Sequence, residues 1–427
     1  MSQATEQAAP ERTRVLWLST LAFTLMFNVW LMLGVLAKPI REEFQLEPSQ
    51  VEWLIAVAIL SGSVVRLNFG IWADRYGGRL VFTLLLLVCA IPTYLFTWAT
   101  TYNELFVYAI LFGLAGNSFS AGVAWCSAWY PPQTKGFALG VFGAGNVGAA
   151  GTKLLVILVP TVLTLVPAAG YLGGVIPGGW RIIPAVYSVL LVLMAVAVWA
   201  LAPTPDRKPA QGRSMAELLT PLKYSRVWRF SLYYVVVFGA YVALASWLPM
   251  YYVDTYKMPL RDAALLTAVF IFPASLLRPV GGTLSDRYGP RVVTYVVFLV
   301  MTVALIALSV PNGTYFGHEY KLDVTLFTAL LFVVGCGMGI GKASVFKYIP
   351  NYYPRDVGAV GGLVGMLGAF GGFFLPPVFG WLGRTTGVPQ MAFLALLVLT
   401  IISLAWLHLA VLGMRATEPR AIVAPAS

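Results

Sequence analysis

Charge is scarce in this chain, and acidic residues are missing from its apolar segments. Charged residues make up 11% of the 427 residues, hydrophobic residues make up 59%, and the mean hydropathy is +0.80. A soluble protein of this length could not keep so apolar a surface dispersed. All 17 carboxylates fall in polar segments or at the ends of apolar ones. The composition therefore excludes a soluble protein and leaves no carboxylate inside the apolar segments.

Cysteine and histidine are also rare. The three cysteines, Cys89, Cys126 and Cys336, lie in apolar segments without metal-like spacing, so we expect them to pack as small apolar residues. Of the two histidines, His318 falls in a loop, and His408 is expected to pack rather than to relay protons. No Ser-His-Asp, Cys-His or metal-binding constellation occurs in any apolar segment, and no sizeable polar domain is present. The sequence therefore predicts neither an enzyme nor a sensor, and no metal or cofactor.

Long apolar runs dominate the chain, and each approaches the roughly 20 residues that a helix needs to cross a bilayer. They are continuously apolar rather than alternating, which predicts helices and not a barrel. The sequence thus predicts an all-α membrane protein with twelve transmembrane helices. The predicted spans are 15–38, 51–73, 80–99, 103–129, 136–160, 181–203, 229–252, 262–284, 291–310, 324–348, 357–382 and 390–413.

The net charge of +11 reflects membrane topology. When alternate polar segments are assigned to one side, 17 of the 28 basic residues share a side with both termini, seven lie on the other side and four lie within spans. This asymmetry predicts cytoplasmic termini in a plasma (inner) membrane and no nucleic-acid partner. The first apolar run is of span length and lacks a cleavage site, so we expect a retained helix.

The predicted spans fall into two sets of six. The domain prediction is a cytoplasmic tail at 1–14, a bundle at 15–203, a cytoplasmic connection at 204–228, a second bundle at 229–413 and a cytoplasmic tail at 414–427. A segment after the second span recurs after the eighth at an offset of 212 residues. Its matched positions are Arg66, Gly70, Asp74 and Arg75 in the first copy and Arg278, Gly282, Asp286 and Arg287 in the second. Such a repeat predicts two pseudo-symmetric six-helix bundles with substrate between them at midplane.

Four cations fall inside spans: Arg66, Lys153, Arg278 and Lys342. Each arginine lies eight residues before the aspartate of its repeat, which is about 12 Å from the membrane surface at 1.5 Å per residue. A central arginine costs roughly 2.5–3.5 kcal/mol on the most lenient scale. With no carboxylate nearby, the pair predicts a bound small anion, because a guanidinium fork fits planar oxyanions. The alternative is that each arginine binds backbone carbonyls or water and only braces its bundle.

The two lysines are weaker candidates for a role in coupling or in the charge of the cavity. Lys342 lies eight residues before Pro350, at a depth similar to that of the arginines. Lys153 lies nearer the outer face, where its side chain can reach the interface.

The repeated Gly-x-x-x-Asp-Arg-x-Gly-x-Arg resembles the loop motif of the major facilitator superfamily, and we expect its Asp-Arg pair to join helix ends at a cytoplasmic gate. The glycine-rich segments 136–148 and 361–374, with one arginine in each of spans two and eight, resemble the nitrate/nitrite porter family over nearly the whole chain. The resemblance implies that Arg66 and Arg278 clamp nitrate or nitrite. It also implies substrate-binding roles for Asn146, Tyr234, Phe238 and Phe119.

Glycines in spans five and eleven permit close helix approach and bending. The positions expected to bend as the bundles rock are Gly143, Gly145, Gly148, Gly365 and Gly368.

The resemblance favours proton-coupled nitrate uptake by a protein that acts as a monomer in the lipid bilayer. Two alternatives stay open: nitrate/nitrite exchange, and exchange of small carboxylates by an oxalate/formate-type member of the same superfamily. The paired arginine in span two argues against the carboxylate exchanger.

Overall fold

The structure is a computed structural model, and it describes residues 9–148, 167, 170–175, 177–315 and 318–417. Most of the described chain is helical. Lys153 and the later part of the predicted fifth span lie outside the described residues. Eleven helices in the described part are long and apolar enough to cross a membrane, and a further helix begins at the fifth predicted position. The predicted twelve-helix architecture is thus consistent with the observed one.

The helices follow the predicted order, with ends shifted by several residues. The first extends to Phe44 instead of ending at residue 38. The helices are α1 (Pro10–Phe44), α2 (Ser49–Tyr76), α3 (Gly78–Trp98), α4 (Tyr102–Trp129), α5 (Lys135–Ala144), α6 (Gly179–Leu201), α7 (Ser225–Tyr256), α8 (Arg261–Tyr288), α9 (Pro290–Ser309), α10 (Val324–Tyr352), α11 (Val357–Thr386) and α12 (Met391–Met414). A two-stranded antiparallel hairpin, β1 (Gly313–Tyr315) and β2 (His318–Tyr320), joins α9 to α10.

Two membrane helices are interrupted at matched positions, one in each half. In α2 the backbone leaves helical geometry at Val65 (φ −97°, ψ 11°), and in α8 it does so at Leu277 (φ −81°, ψ 1°). These positions are 212 residues apart, the offset of the sequence repeat. The next residue in each helix is an intramembrane arginine, Arg66 or Arg278, so each arginine begins a helical segment within the membrane.

The two halves meet in close helix pairs at the end of the bundle that carries Asp74 and Asp286, here called the motif end. There α2 packs on α11, and α5 packs on α8. A Cβ on Gly70 would collide with the carbonyl of Gly358, and a Cβ on Gly136 would lie 2.6 Å from the carbonyl oxygen of Gly282. Glycine is thus required where the backbones of the two halves touch.

The connection between the halves is folded against the motif end. The carboxylate of Asp206 accepts hydrogen bonds from the Arg79 backbone (2.8 Å) and from the indole nitrogens of Trp125 (3.1 Å) and Trp129 (3.0 Å). Further along, a short helix, Met215–Leu219, buries Leu218. The connection is therefore an ordered element that covers the helix ends.

Candidate functional site

Arg66 is buried at the centre of the molecule with 0% of its surface exposed. Its Nε donates to the carbonyl of Gly62 (2.9 Å), and its Nη1 donates to the carbonyl of Gly365 in the other half (3.1 Å). The guanidinium carbon lies 5.1 Å from the centre of the Trp30 ring. Nη2 has no hydrogen-bond partner among the described residues. Arg66 is therefore held by backbone carbonyls, with one nitrogen still available to an acceptor.

Arg278 is equally buried, at 1% exposure, but it is bonded differently. Its Nε and Nη1 have no hydrogen-bond partner in the part of the chain that the structure describes. A Cβ on Gly143 would collide with the guanidinium, so the group lies directly against the backbone of α5. No carboxylate of the described residues pairs with either arginine. Donors that lose hydration without gaining a partner are costly in a protein interior.

Phe119 lies between the two arginines. Its ring centre is 5.8 Å from the guanidinium carbon of Arg66 and 5.4 Å from that of Arg278. The two carbons are therefore at most 11.2 Å apart, the sum of these distances. The rings of Tyr234 and Phe238 lie nearly parallel to it, with centres 6.2 and 6.3 Å away and interplanar angles of 13° and 7°. The structure thus brings together five residues that the sequence proposed for one site.

The other proposed polar residues also lie in the interior. Asn146 is fully buried in a 3₁₀ turn that follows α5, and neither side-chain atom of its amide has a described hydrogen-bond partner. Lys342 is fully buried, donates to the carbonyl of Ala274 (3.0 Å) and lies 3.1 Å from the ring centre of Tyr241. Lys342 is therefore a third interior cation, and Tyr241 and a backbone carbonyl hold it in place.

The proposed glycines pack around these residues. A Cβ on Gly145 would lie 2.6 Å from the Phe23 ring, and one on Gly148 would lie 2.6 Å from the carbonyl oxygen of Thr24. A Cβ on Gly368 would collide with the ring of Tyr234. At Gly365 the nearest atoms would be 3.4–3.8 Å away, which is ordinary contact.

At the motif end, each repeat aspartate caps a helix of the other half. Asp74 accepts a hydrogen bond from the backbone nitrogen of Gly358 (2.6 Å), in the first turn of α11. Asp286 accepts from the backbone nitrogens of Gly136 (3.0 Å) and Phe137 (2.7 Å), in the first turn of α5. A carboxylate at a helix N-terminus is stabilised by the helix dipole. These matched contacts close the motif end.

The arginines of the same motif do not take part in this closure. Arg75 lies over the ring of Tyr76 (5.6 Å), and Arg287 lies over that of Tyr288 (5.1 Å). Lys347, which the sequence did not single out, instead pairs with Asp286 at 2.5 Å and donates to a carbonyl of the other half. A lysine four residues short of the α10 end gives no sequence signal for this contact.

A cavity of about 370 Å³ opens between the halves at the opposite end. Trp30 of α1 and Tyr241 of α7 line it, and each also contacts an interior cation, Arg66 and Lys342 respectively. Both aromatic residues are almost fully buried, so they separate the cavity from the arginines. The sequence prediction missed them, although their offset of 211 residues nearly equals that of the repeat.

Comparison with known proteins identifies the family. The sequence profile of the Major Facilitator Superfamily matches residues 18–341 and 263–425. The probable nitrate/nitrite antiporter NarK1 of Thermus thermophilus is 59% identical over 422 residues, which cover 97% of this chain and 95% of that protein. The chain belongs to the nitrate/nitrite porter family of the major facilitator superfamily. Another relative of the porter, the probable nitrate transporter NarT of Staphylococcus carnosus, is 29% identical over 91% of this chain and 94% of its own length.

Solved structures show the same fold at low sequence identity. The human organic anion transporter MFSD10 aligns with a TM-score of 0.73 and 14% identity, covering 93% of the porter and 99% of that chain. The transporter FucP in its outward conformation gives 0.69 and 16% identity, over 91% and 98%. The predicted fold and family are therefore confirmed, and the chain is a multi-pass membrane transporter rather than an enzyme.

Proposed function

We propose that this porter carries nitrate and nitrite across the membrane between its two halves, with the anion bound by Arg66 and Arg278. The observation that carries this proposal is the set of buried guanidinium nitrogens without a partner, in an interior whose described residues supply no carboxylate for them. At 11.2 Å, their largest separation, the two charges repel by about 1.5 kcal/mol at an effective dielectric of 20. An anion about 4 Å from each would gain about 4 kcal/mol per contact under the same assumption. An anion therefore relieves the repulsion that the empty site carries.

The shape of the site supports a flat anion. Phe119 faces the rings of Tyr234 and Phe238 at nearly parallel angles, and Phe346 closes the group edge-on at 5.0 Å from Phe119. Rigid rings leave room for little more than a planar ion, and the guanidinium fork matches oxygen atoms in one plane. Asn146 and the Tyr234 hydroxyl, both without described hydrogen-bond partners, would supply the remaining polar contacts.

We favour nitrate/nitrite exchange over proton-coupled uptake. The relative with 59% identity carries the name of an antiporter, and the interior offers no carboxylate among the described residues to carry a proton. With two arginines that stay charged, the empty carrier would have to rearrange without relief of their repulsion. Return with a second anion avoids that state. Proton coupling through Lys342 or Tyr234 is the second candidate, because both lie beside Arg278.

The orientation follows from the basic residues. We infer that the motif end faces the cytoplasm of a cell with the porter in its inner membrane, because most Lys and Arg outside the spans lie on that side together with both termini. Transport then alternates between the present arrangement, closed at the motif end, and one in which the Asp74 and Asp286 caps are broken. The α5 and α11 glycines are expected to let these helices bend during the change.

Proteoliposomes test this function directly. Vesicles loaded with nitrite should take up external nitrate without a pH gradient, whereas empty vesicles should not. Formate and oxalate serve as competing substrates, and an imposed pH gradient serves as the arm for proton coupling. Efficient formate or oxalate exchange without nitrate exchange would overturn the assignment, and nitrate uptake into empty vesicles that depends on the pH gradient would favour the symporter.

Two substitutions test the clamp. Arg66→Lys and Arg278→Lys keep the charge but lose the bidentate fork, so we expect each to reduce exchange at least tenfold. Arg261→Lys, at an exposed position on the same helix as Arg278, is the matched control and should leave exchange unchanged. Full exchange in both clamp variants would refute the role of the arginines.

A further inference from the structure

The largest groove at the motif end is lined by positive charge and lies away from the anion site. Its volume is about 480 Å³, which is in the range of small-molecule sites. The start of α7, the end of α12 and the residue after α10 form its walls. The lining residues used below are Ser225, Arg226, Arg229, Tyr353 and Gly413.

Neither arginine of the groove has a carboxylate partner in the described part of the chain. The guanidinium of Arg226 lies 4.4 Å from the ring centre of Tyr352, which fixes its position. The buried Nε of Arg229 has no hydrogen-bond partner among the described residues. The carboxylate nearest Tyr353, that of Asp356, is bound to Arg213 at 2.7 Å. The groove therefore carries an excess of positive charge that its own neighbours do not neutralise.

Hydrogen-bond donors of a second kind meet at the same place. Ser225 opens α7, so the first backbone N–H groups of that helix and the Ser225 hydroxyl lie in the groove wall. Helix N-termini favour phosphate oxygens. Burial raises the pKa of Tyr353, so its hydroxyl stays protonated and can donate. Arginines, a hydroxyl and a helix start together form a site for a phosphate group.

The surroundings of the groove are those of a membrane interface. Trp228, half exposed, follows Arg226 by two residues at the end of the membrane helix, where aromatic residues meet lipid headgroups. From Gly413 an exposed apolar column runs along one face of α12 towards the membrane centre. Its members are Leu409, Trp406 and Ile402, which lie at helical spacing. A phosphate in the groove would thus have an apolar track for acyl chains beside it.

We propose that this groove binds the headgroup of an anionic phospholipid from the leaflet at the motif end. Arg226 and Arg229 hold the phosphate, Ser225 and Tyr353 donate further hydrogen bonds, and the acyl chains lie along α12. Basic pockets between membrane helices bind anionic headgroups by the same physics. A lipid in this position contacts both α7 and α12, and therefore stabilises the half of the molecule that moves as one body during transport.

Lipid titration of the purified protein tests the site. In detergent, phosphatidylglycerol should raise the melting temperature more than phosphatidylcholine, and native mass spectrometry should detect retained phosphatidylglycerol. Arg226→Gln and Arg229→Gln should each weaken retention about fivefold, and the double variant about 25-fold. Lys223→Gln, an exposed cation in the same segment but outside the groove, is the control and should retain lipid as the parent does.

Each outcome decides the proposal. Equal loss in Lys223→Gln would mean that general surface charge attracts the lipid, which would overturn a built site. Inorganic phosphate that protects the lipid-free protein as well as phosphatidylglycerol does would reassign the groove to a soluble phosphate. If the double variant does not fold, the single variants and the conservative Arg226→Lys and Arg229→Lys pair supply the same comparison. None of these readouts requires nitrate, so failure here is separate from failure of the proposed transport.

The folded connection between the halves supports a second proposal. The Ala210 backbone donates to the carbonyl of Asp74 (3.0 Å), and Leu218 packs in a small apolar cluster with Ile71 of α2 and Ala359 of α11. Arg213 completes the link to the other half through its ion pair with Asp356. The connection thus touches both helices of the α2–α11 contact that closes the motif end.

We infer that this segment, 206–219, is a latch that favours the state closed at the motif end. The inference rests on alternating access as proposed above. Spin labels at the exposed Tyr76 and Tyr288 would report the distance across the motif end without any substrate. Arg213→Gln and Leu218→Ala should each raise the open-to-closed ratio about fivefold, whereas Lys208→Ala, exposed in the same segment, should not. An unchanged distance distribution in both latch variants would refute the latch while leaving the transport proposal intact.

Discussion

Adding a single methyl group at Gly143 should test the clamp more cleanly than removal of an arginine. A Cβ at this position would lie 2.7 Å from Nη2 of Arg278 and closer still to two other guanidinium atoms. The guanidinium is the far end of a flexible side chain, so it should move by about 1–2 Å while the backbone stays in place. The charge of the site is then unchanged, and only its position differs.

The loss of affinity can be worked out from that displacement. At an effective dielectric of 20, an anion 4 Å from a unit charge gains about 4.2 kcal/mol, whereas at 5–6 Å it gains about 3.3–2.8 kcal/mol. The difference is about 0.8–1.4 kcal/mol, so Gly143→Ala should weaken nitrate binding about 4- to 10-fold. The melting temperature should change little, because no apolar side chain is removed.

The assay is the nitrate concentration that half-saturates exchange in proteoliposomes, checked by calorimetric titration in detergent. Gly365→Ala is the matched control, because its Cβ would meet only ordinary contacts at 3.4–3.8 Å, one of them to Arg66. It should change affinity less than twofold. Equal affinities for the parent and Gly143→Ala would show that Arg278 does not contact the anion from its present position.

Three further predictions follow from individual contacts. Phe119→Ala should lower the free energy of unfolding by about 3–5 kcal/mol and should widen the slot, so that formate competes better with nitrate; an unchanged competition profile would contradict the slot. Asp286→Asn loses the charge that Gly136 and Lys347 share, so spin-label distances should show a larger open population at the motif end than in the parent. Lys342→Met should keep nitrate/nitrite exchange within about tenfold of the parent but abolish any acceleration by a pH gradient; a persisting response would exclude Lys342 as a proton carrier.

Much of the fold could be read from the sequence because membrane helices obey simple rules. Length and apolar character located the spans, and the 212-residue repeat paired Arg66 with Arg278 before any coordinates were considered. The helix interruptions at Val65 and Leu277 were not predicted, since neither residue disfavours a helix by itself. They depend on packing between helices, which a local pattern does not contain.

The missing parts of the site have a similar cause. Trp30 and Tyr241 are two of many aromatic residues in apolar spans, and spacing alone does not tell which of them faces an arginine or a lysine. The connection was predicted as a linker because it is rich in proline and charge. Its order comes from contacts with distant partners, such as Asp206 with Trp125, that only the assembled bundle supplies.

The two arginines are symmetric in sequence but not in bonding, and that difference bears on how the site works. Arg66 uses two nitrogens on backbone carbonyls, one of them from Gly365 in the other half, so it resembles the bracing role that was the alternative to anion binding. Arg278 has two nitrogens without a described partner and rests against the backbone of Gly143. Any motion that separates α2 from α11 must break the Gly365 contact and free a donor of Arg66. An anion that takes this donor replaces the lost hydrogen bond, so binding and rearrangement of the halves are coupled at Arg66, whereas Arg278 provides the fixed attraction.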